Sequence, residues 1–190
     1  MGTLNEKGYI LVKDFLTKEE TNLITQHCLF FHQNNFIDLE FNDFRQNNSC
    51  DTAVYSDTIM ESLMINKKEK MEKLTNLKLH PTYSYWRMYT KNSELLKHKD
   101  RESCEISVTV MLGSDYKPWY FHIEEDKYDL EPGDAIIYEG CKLFHYREPY
   151  KGDWHVQTFL HYVNKEGPNK DHAFDKRLRL GIRDNIYHGV

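Results

Sequence analysis

Hydrophobic positions in this chain follow two rhythms, and the change between them falls near Pro81. Before it the spacing is mostly helical. Gly8-Tyr9-Ile10-Leu11-Val12 is a short apolar run that reads as a strand, and Thr17-Lys18-Glu19-Glu20 follows with Thr at an N-cap position and Glu three residues on. This predicts a helix over about residues 18–31, with Leu23, Ile24, His27, Cys28 and Phe31 on one face that packs on a sheet. A second helix is predicted over roughly residues 57–77, with Met60, Leu63, Met64, Met71 and Leu74 as its apolar stripe. The polar, Asn-rich stretch 34–52 between them reads as loop.

After Pro81 the texture becomes one of short alternating segments divided by Gly, Pro, Asp and Lys, as in an antiparallel sandwich or barrel. The predicted strands are residues 82–90, 105–112, 119–124, 135–138, 143–146 and 155–163. Leu130-Glu131-Pro132-Gly133-Asp134 is a tight-turn sequence, Pro presetting one position and Gly permitting positive φ, and it predicts a hairpin directly before Ala135-Ile136-Ile137-Tyr138. The tail after Val163 is polar, contains Gly167-Pro168 and reads as loop with a short final helix. The expected fold class is mostly β with supporting N-terminal helices. The chain is expected to be a single domain over residues 1–190: strand and helices in 1–80, the β core in 81–163 and a C-terminal tail in 164–190.

Composition narrows the functions available. A length of 190 residues suits one domain with its own core. A net charge of −5 disfavours binding to nucleic acid through a strong positive field. The cysteines Cys28, Cys50, Cys104 and Cys141 are scattered without a C-x-x-C pair, which suits reduced thiols rather than disulfides or a zinc site. The N-terminus lacks the pattern of a secretory signal, and no stretch is long and apolar enough to span a bilayer, so the expected location is cytoplasmic, without a membrane partner. Aromatics at 14% are enough for a packed fold with a lined cavity.

His98-Lys99-Asp100 is an H-x-D pair, and in extended backbone residues i and i+2 point the same way, so both side chains can bind one ion. Alone it reads equally well as a charged surface loop. His145 lies on a late predicted strand that can return to the first two residues. Two imidazoles and one carboxylate cover one face of an octahedral metal and leave the opposite positions open, a set suited to non-haem Fe(II). His122-Ile123-Glu124 is a competing H-x-E pair, set aside because little chain separates it from His145 for the intervening strands.

Residues 83–163 resemble the prolyl-4-hydroxylase-like branch of the Fe(II)/2-oxoglutarate dioxygenases. The resemblance rests on Tyr85-Trp86-Arg87-Met88-Tyr89, His98-Lys99-Asp100, the stretch from Leu130 to Tyr138, and His145-Tyr146-Arg147-Glu148-Pro149 leading to His155. It implies a double-stranded β-helix core, a form of jelly roll. It also implies a metal site of His98, Asp100 and His145, the cofactors Fe(II), 2-oxoglutarate and O2, and hydroxylation of a C–H bond with release of succinate and CO2. That family normally carries a Lys or Arg about ten residues after the distal histidine to hold the far carboxylate of 2-oxoglutarate; here His155 stands there, a weaker and pH-dependent anchor. Arg147 and Arg87 are candidates to assist it, and Tyr89 matches a tyrosine that touches 2-oxoglutarate in the family.

By period two, Tyr83, Tyr85, Arg87 and Tyr89 share a face that lines a polar interior or faces water, and Ser107, Thr109 and Met111 share one that is expected to line the interior. Gln157 and His161 share a face with His155 and are expected to orient ligands or contact substrate. The resemblance favours a residue in a peptide or protein as substrate, with residues 34–57 long enough for a lid. A free amino acid or other small molecule, a cupin-like metalloenzyme that does not use 2-oxoglutarate, and a non-catalytic jelly-roll binding module are the alternatives.

Overall fold

The structure, a computed structural model, describes residue 4, residues 6–34 and residues 51–182. The elements run β1 (Tyr9–Val12), α1 (Lys18–Asn34), β2 (Thr52–Tyr55), α2 (Thr58–Thr75), β3 (Leu79–Thr90), β4 (Leu95–His98), β5 (Ile106–Ser114), β6 (Phe121–Ile123), β7 (Asp126–Tyr128), β8 (Ala135–Tyr138), β9 (His145–Arg147) and β10 (Trp154–Asn164). Short 3-10 turns lie at Glu102–Cys104 and Lys170–Lys176.

Local chemistry sets the two helices. Thr17 Oγ1 accepts from the Glu20 amide at 3.2 Å while the Glu20 carboxylate accepts from the Thr17 amide at 2.9 Å, a reciprocal cap that starts α1. Asp57 caps α2 by accepting from the amides of Ile59 (2.9 Å) and Met60 (3.3 Å), and Asn76 ends it at φ 57 in the left-handed region. The same Asp57 carboxylate bonds His27 of α1 at 3.0 Å and Trp86 of β3 at 3.3 Å, so one cap also ties both helices to the sheet.

Among the described residues ten strands form two antiparallel sheets, ordered β1-β8-β5-β10-β3-β2 and β4-β9-β6-β7. This is the double-stranded β-helix arrangement with helices on the outer face of the larger sheet. Alternation divides β5: Val108, Val110 and Leu112 join the cluster under the helices, with Met60, Met64, Trp86 and Leu160, while Met111 joins Phe121, Ile123, Ile136 and Tyr138 between the sheets. Both faces are buried, so every residue of β5 is buried.

Several expectations are corrected. Leu23 is 70% exposed; the buried stripe of α1 is Thr21, Ile24, Thr25 and Cys28, shifted round the helix toward the sheet. The sequence 130–134 does form a tight turn, with Gly133 at φ +94, but it carries the chain from β7 in the small sheet to β8 in the large one and is not a hairpin between paired neighbours. A side chain at Gly133 would meet the Leu16 carbonyl at 3.0 Å. Strands β2, β4 and β7 have three or four residues each, too few for a periodic signal. The predicted final helix is the 3-10 segment Lys170–Lys176, broken by non-helical angles at Ala173, Phe174 and Asp175. Most of the expected loop over 34–52 and of the expected lid over 34–57 lies outside the described residues, as does Cys50; the described end of that lid, Thr52–Tyr55, is strand β2.

Replacing Met64, which has no exposed surface, with Ala should cost about 2–5 kcal/mol in urea unfolding, whereas Leu23→Ala should stay within about 0.5 kcal/mol. Equal losses in both variants would contradict the placement of the α1 stripe.

Candidate metal centre

The short strand β4 pairs with β9 so that His98 stands directly opposite His145. Their ring centroids are 4.3 Å apart. Asp100 follows two residues after His98, outside the strand, and its amide donates to the Gly140 carbonyl at 2.9 Å. Each histidine turns Nδ1 toward a backbone carbonyl, His98 to Leu96 at 2.7 Å and His145 to Leu143 at 3.1 Å. That contact makes Nδ1 the donor to the carbonyl and leaves Nε2 facing Asp100, the nitrogen through which such histidines commonly bind a metal. Both Nε2 atoms lie 3.5 Å from the same Asp100 oxygen, Oδ1.

Three ligand atoms within 4.8 Å of one another can share one divalent ion. Burial pushes the Asp100 carboxyl toward neutrality, but the facing imidazoles of His145 and His98 outweigh it and hold its pKa well below the usual carboxylate range. The carboxylate is therefore charged and ready to bind a cation. Tyr138 packs edge-on against His145 at 4.9 Å and Phe121 closes the wall behind it at 5.8 Å, which fixes the ring. Gly140 is required by contact: a Cβ there would lie 2.6 Å from Asp100 Oδ2 and 2.4 Å from the Cys104 carbonyl. Asp100 also belongs to a second group with Cys104 and His161. Burial pushes the Cys104 thiol well above its ordinary pKa, so it stays protonated beside the Tyr83 hydroxyl at 3.0 Å.

Further along the interior lies a buried polar cluster. Arg147, two residues beyond His145 on the same face of β9, donates to the Trp119 carbonyl at 2.6 Å and to Gln157 Oε1 at 3.3 Å. Its guanidinium lies over the Trp119 and Phe121 rings at 4.5 and 5.4 Å. Among the described residues no carboxylate forms an ion pair with it. Burial draws its pKa down to about 10, which still leaves it a cation at neutral pH. Gln157 Oε1 is shared with His155 Nε2 at 2.9 Å, and Gln157 Nε2 donates to Thr109 Oγ1 at 2.7 Å. His155 is held neutral: burial, then the neighbouring Arg147 charge, lowers its pKa to about 3. Its Nδ1 is buried without a hydrogen-bond partner. Tyr89, Trp119 and Tyr150 close this end of the interior as a compact aromatic group.

The other sequence candidates fall as follows. Arg87 is engaged elsewhere, donating from Nε to Asp51 at 2.8 Å, while the same carboxylate collects the Thr90 amide and the Ser93 hydroxyl. His161 faces the interior, its Nδ1 on Ser107 Oγ at 2.8 Å. His122 stacks on Tyr146 at 4.4 Å, on the face of the small sheet opposite His145. Strand β6 lies directly beside β9, so His122 is excluded by the direction of its side chain and not, as the sequence argument had it, by shortness of chain. Gly140, Tyr138 and Asp51 were not anticipated. Gly140 follows the apolar run Ala135-Ile136-Ile137-Tyr138, and its closeness to the end of that strand is a signal that could have marked it.

Comparison with known proteins comes from shape alone. No protein-family model matches the sequence, and no curated protein matches it. Among solved structures, a prolyl-4-hydroxylase from Pseudomonas putida is 12% identical, with a TM-score of 0.68 over 85% of this chain and 95% of that one. A prolyl hydroxylase from Trichoplax adhaerens in complex with a hypoxia-inducible-factor peptide fragment is 14% identical, with a TM-score of 0.64 over 92% and 90%. HygX from Streptomyces hygroscopicus, with nickel, 2-oxoglutarate and hygromycin B bound, is 12% identical, with a TM-score of 0.63 over 84% of each chain. The chain shares the fold of these proteins.

The depressed pKa of His155 makes a prediction for metal-free protein. Its folded value, about 3, lies below the ordinary value of 6.5, so the unfolded state binds more protons between them, and stability is full above pH 6.5 and falls on acidification. Over pH 6 to 4, His155→Gln should flatten the slope of unfolding free energy against pH by up to about 1.4 kcal/mol per unit. An unchanged slope would mean that His155 titrates normally.

Proposed function

We propose that this protein is an Fe(II)- and 2-oxoglutarate-dependent dioxygenase that hydroxylates a C–H bond, and that the reading is carried by one observation: His98 and His145 both direct Nε2 to the same oxygen of Asp100. The donor set fits. Two imidazoles whose Nδ1 is held by a backbone carbonyl, together with one carboxylate, would bind one face of an octahedral ion. Bound together, iron and 2-oxoglutarate would activate O2 and couple release of succinate and CO2 to substrate hydroxylation.

The residues of the chain do the rest. His98, Asp100 and His145 would hold the metal. Among the described residues Arg147 forms no ion pair with a carboxylate, and a buried guanidinium without one is costly to maintain. It is the group suited to the distal carboxylate of 2-oxoglutarate. The sequence placed His155 in that role because of its position in the chain; at a pKa of about 3 it carries no charge to offer, and in this reading it is a neutral hydrogen-bonding neighbour that holds Gln157 in line. Tyr89 closes the same end beside Trp119, 4.8 Å from it. The rings around the cluster exclude water and strengthen the charge interaction.

For the substrate, a peptide or protein residue is supported by the two prolyl hydroxylases among the structural relatives, one of them bound to a peptide fragment. HygX, bound to hygromycin B, supports a small molecule as the second reading. Among the described residues, no helix is long and apolar enough to cross a membrane.

Anaerobic addition of Fe(II) and 2-oxoglutarate should produce a visible charge-transfer band, and admission of air should release succinate. Asp100→Ala should lose both; a band that survives it would refute the ligand assignment. Arg147→Met should weaken 2-oxoglutarate binding by roughly 100-fold, and His155→Gln by less than about tenfold, in titrations of Co(II)-loaded protein. The reverse order would return the anchor to His155.

A further inference from the structure

The C-terminal segment reaches back to the loop that carries Asp100. Arg101, the residue after that aspartate, makes a two-pronged ion pair with Asp175: Nη1 to Oδ1 at 2.6 Å and Nη2 to Oδ2 at 2.8 Å. The Asp175 carboxylate is almost fully buried, at 3% exposure, and also accepts from the Tyr55 hydroxyl at 2.6 Å. A second tie runs beside it, His172 Nδ1 to Ser103 Oγ at 3.0 Å, and Arg101 Nη1 itself donates to Ser103 Oγ at 2.8 Å. The Arg101 guanidinium also covers the Tyr83 ring at 4.6 Å.

The Asp100 loop needs such support. Strand β4 ends at His98, so Asp100 lacks the ladder that fixes the two histidines. Its own backbone tie is the bond from its amide to the Gly140 carbonyl, and Arg101 adds a carbonyl that accepts from the Cys141 thiol at 3.1 Å. The tail holds an unfavourable shape to provide more. Phe174, Asp175 and Lys176 are consecutive non-glycine residues in the left-handed region, at φ 55, 56 and 61. Such a run persists where its surroundings fix it, and it is a mark of functional placement.

We propose that Asp175 is a positioning residue for the metal centre: through its forked pair with Arg101 the C-terminal segment sets the direction of Asp100, so that the site is completed by the tail. The proposal rests on the reading of His98, Asp100 and His145 as metal ligands. Asp175 touches neither metal nor substrate in it and acts through Arg101 alone. Partners behind metal ligands commonly change metal affinity by 10–100-fold when removed.

The test is a Co(II) titration of the full chain, following the visible d–d bands and the affinity, in wild type, Asp175→Asn, Asp175→Glu and Arg101→Lys. Asp175→Asn should bind Co(II) about tenfold more weakly with altered band intensity, and Asp175→Glu should recover most of the loss. A folded Asp175→Asn protein with wild-type affinity and spectrum overturns the proposal, since a tail that serves stability alone would lower the melting temperature and leave the bands in place. Should Asp175→Asn fail to fold, Arg101→Lys decides, because it keeps the charge and removes the fork: tenfold weakening supports the proposal and unchanged binding overturns it. Wild-type protein that binds no Co(II) refutes the metal-centre reading itself, an outcome separate from equal binding by wild type and variant.

Discussion

One carboxylate oxygen facing two imidazoles is the arrangement on which the rest depends. Asp100 would be driven toward neutrality by burial if it stood alone; the two rings make its charged form the stable one. Each ring depends in turn on a backbone carbonyl that holds its Nδ1, and those carbonyls depend on the pairing of β4 with β9. A slip of one residue in that pairing would turn His145 to the outer face, where Tyr146 now stacks on His122. The fold therefore fixes the site through strand register. The Gly140 carbonyl then accepts from the amide of Asp100, which lies outside β4.

The interior is electrically uneven along its length. At one end the charge is negative and accessible, on Asp100. At the other it is positive and enclosed, on Arg147, with His155 kept neutral beside it and aromatic rings around both. A dianion with a metal-binding end and a plain carboxylate end matches that polarity, and the proposed use of 2-oxoglutarate rests on the match as much as on the fold. Arg147 on β9 stands two residues beyond His145, and His155 on β10 stands where the resembled family carries a lysine or arginine.

Much of this was legible in the sequence, for physical reasons. Long amphipathic segments such as α1 and α2, and the β-branched runs of β5, β8 and β10, carry enough periods to be read. The H-x-D pair and His145 could be joined because extended backbone and a returning strand suffice to bring them together. Short strands could not be read: Leu95–His98 has only four residues, yet it carries His98. Leu23 was misplaced because a helical period alone does not say which edge of the stripe meets the sheet. The anchor was left open between His155, Arg147 and Arg87 for a different reason. Position in the chain singled out His155, while its charge state is set by burial and by Arg147, neither of which is visible before the chain is folded. Asp175 carries no local signal at all, since its partner lies far away in sequence and its backbone conformation is one that no motif announces.

X-ray absorption at the iron edge, on protein loaded anaerobically with one equivalent of Fe(II), measures the central claim without reliance on turnover. The account predicts a six-coordinate shell of nitrogen and oxygen with the outer-shell scattering of two imidazoles, reduced to one in His145→Ala. A shell with no imidazole scattering, or with sulfur from Cys104, would contradict it.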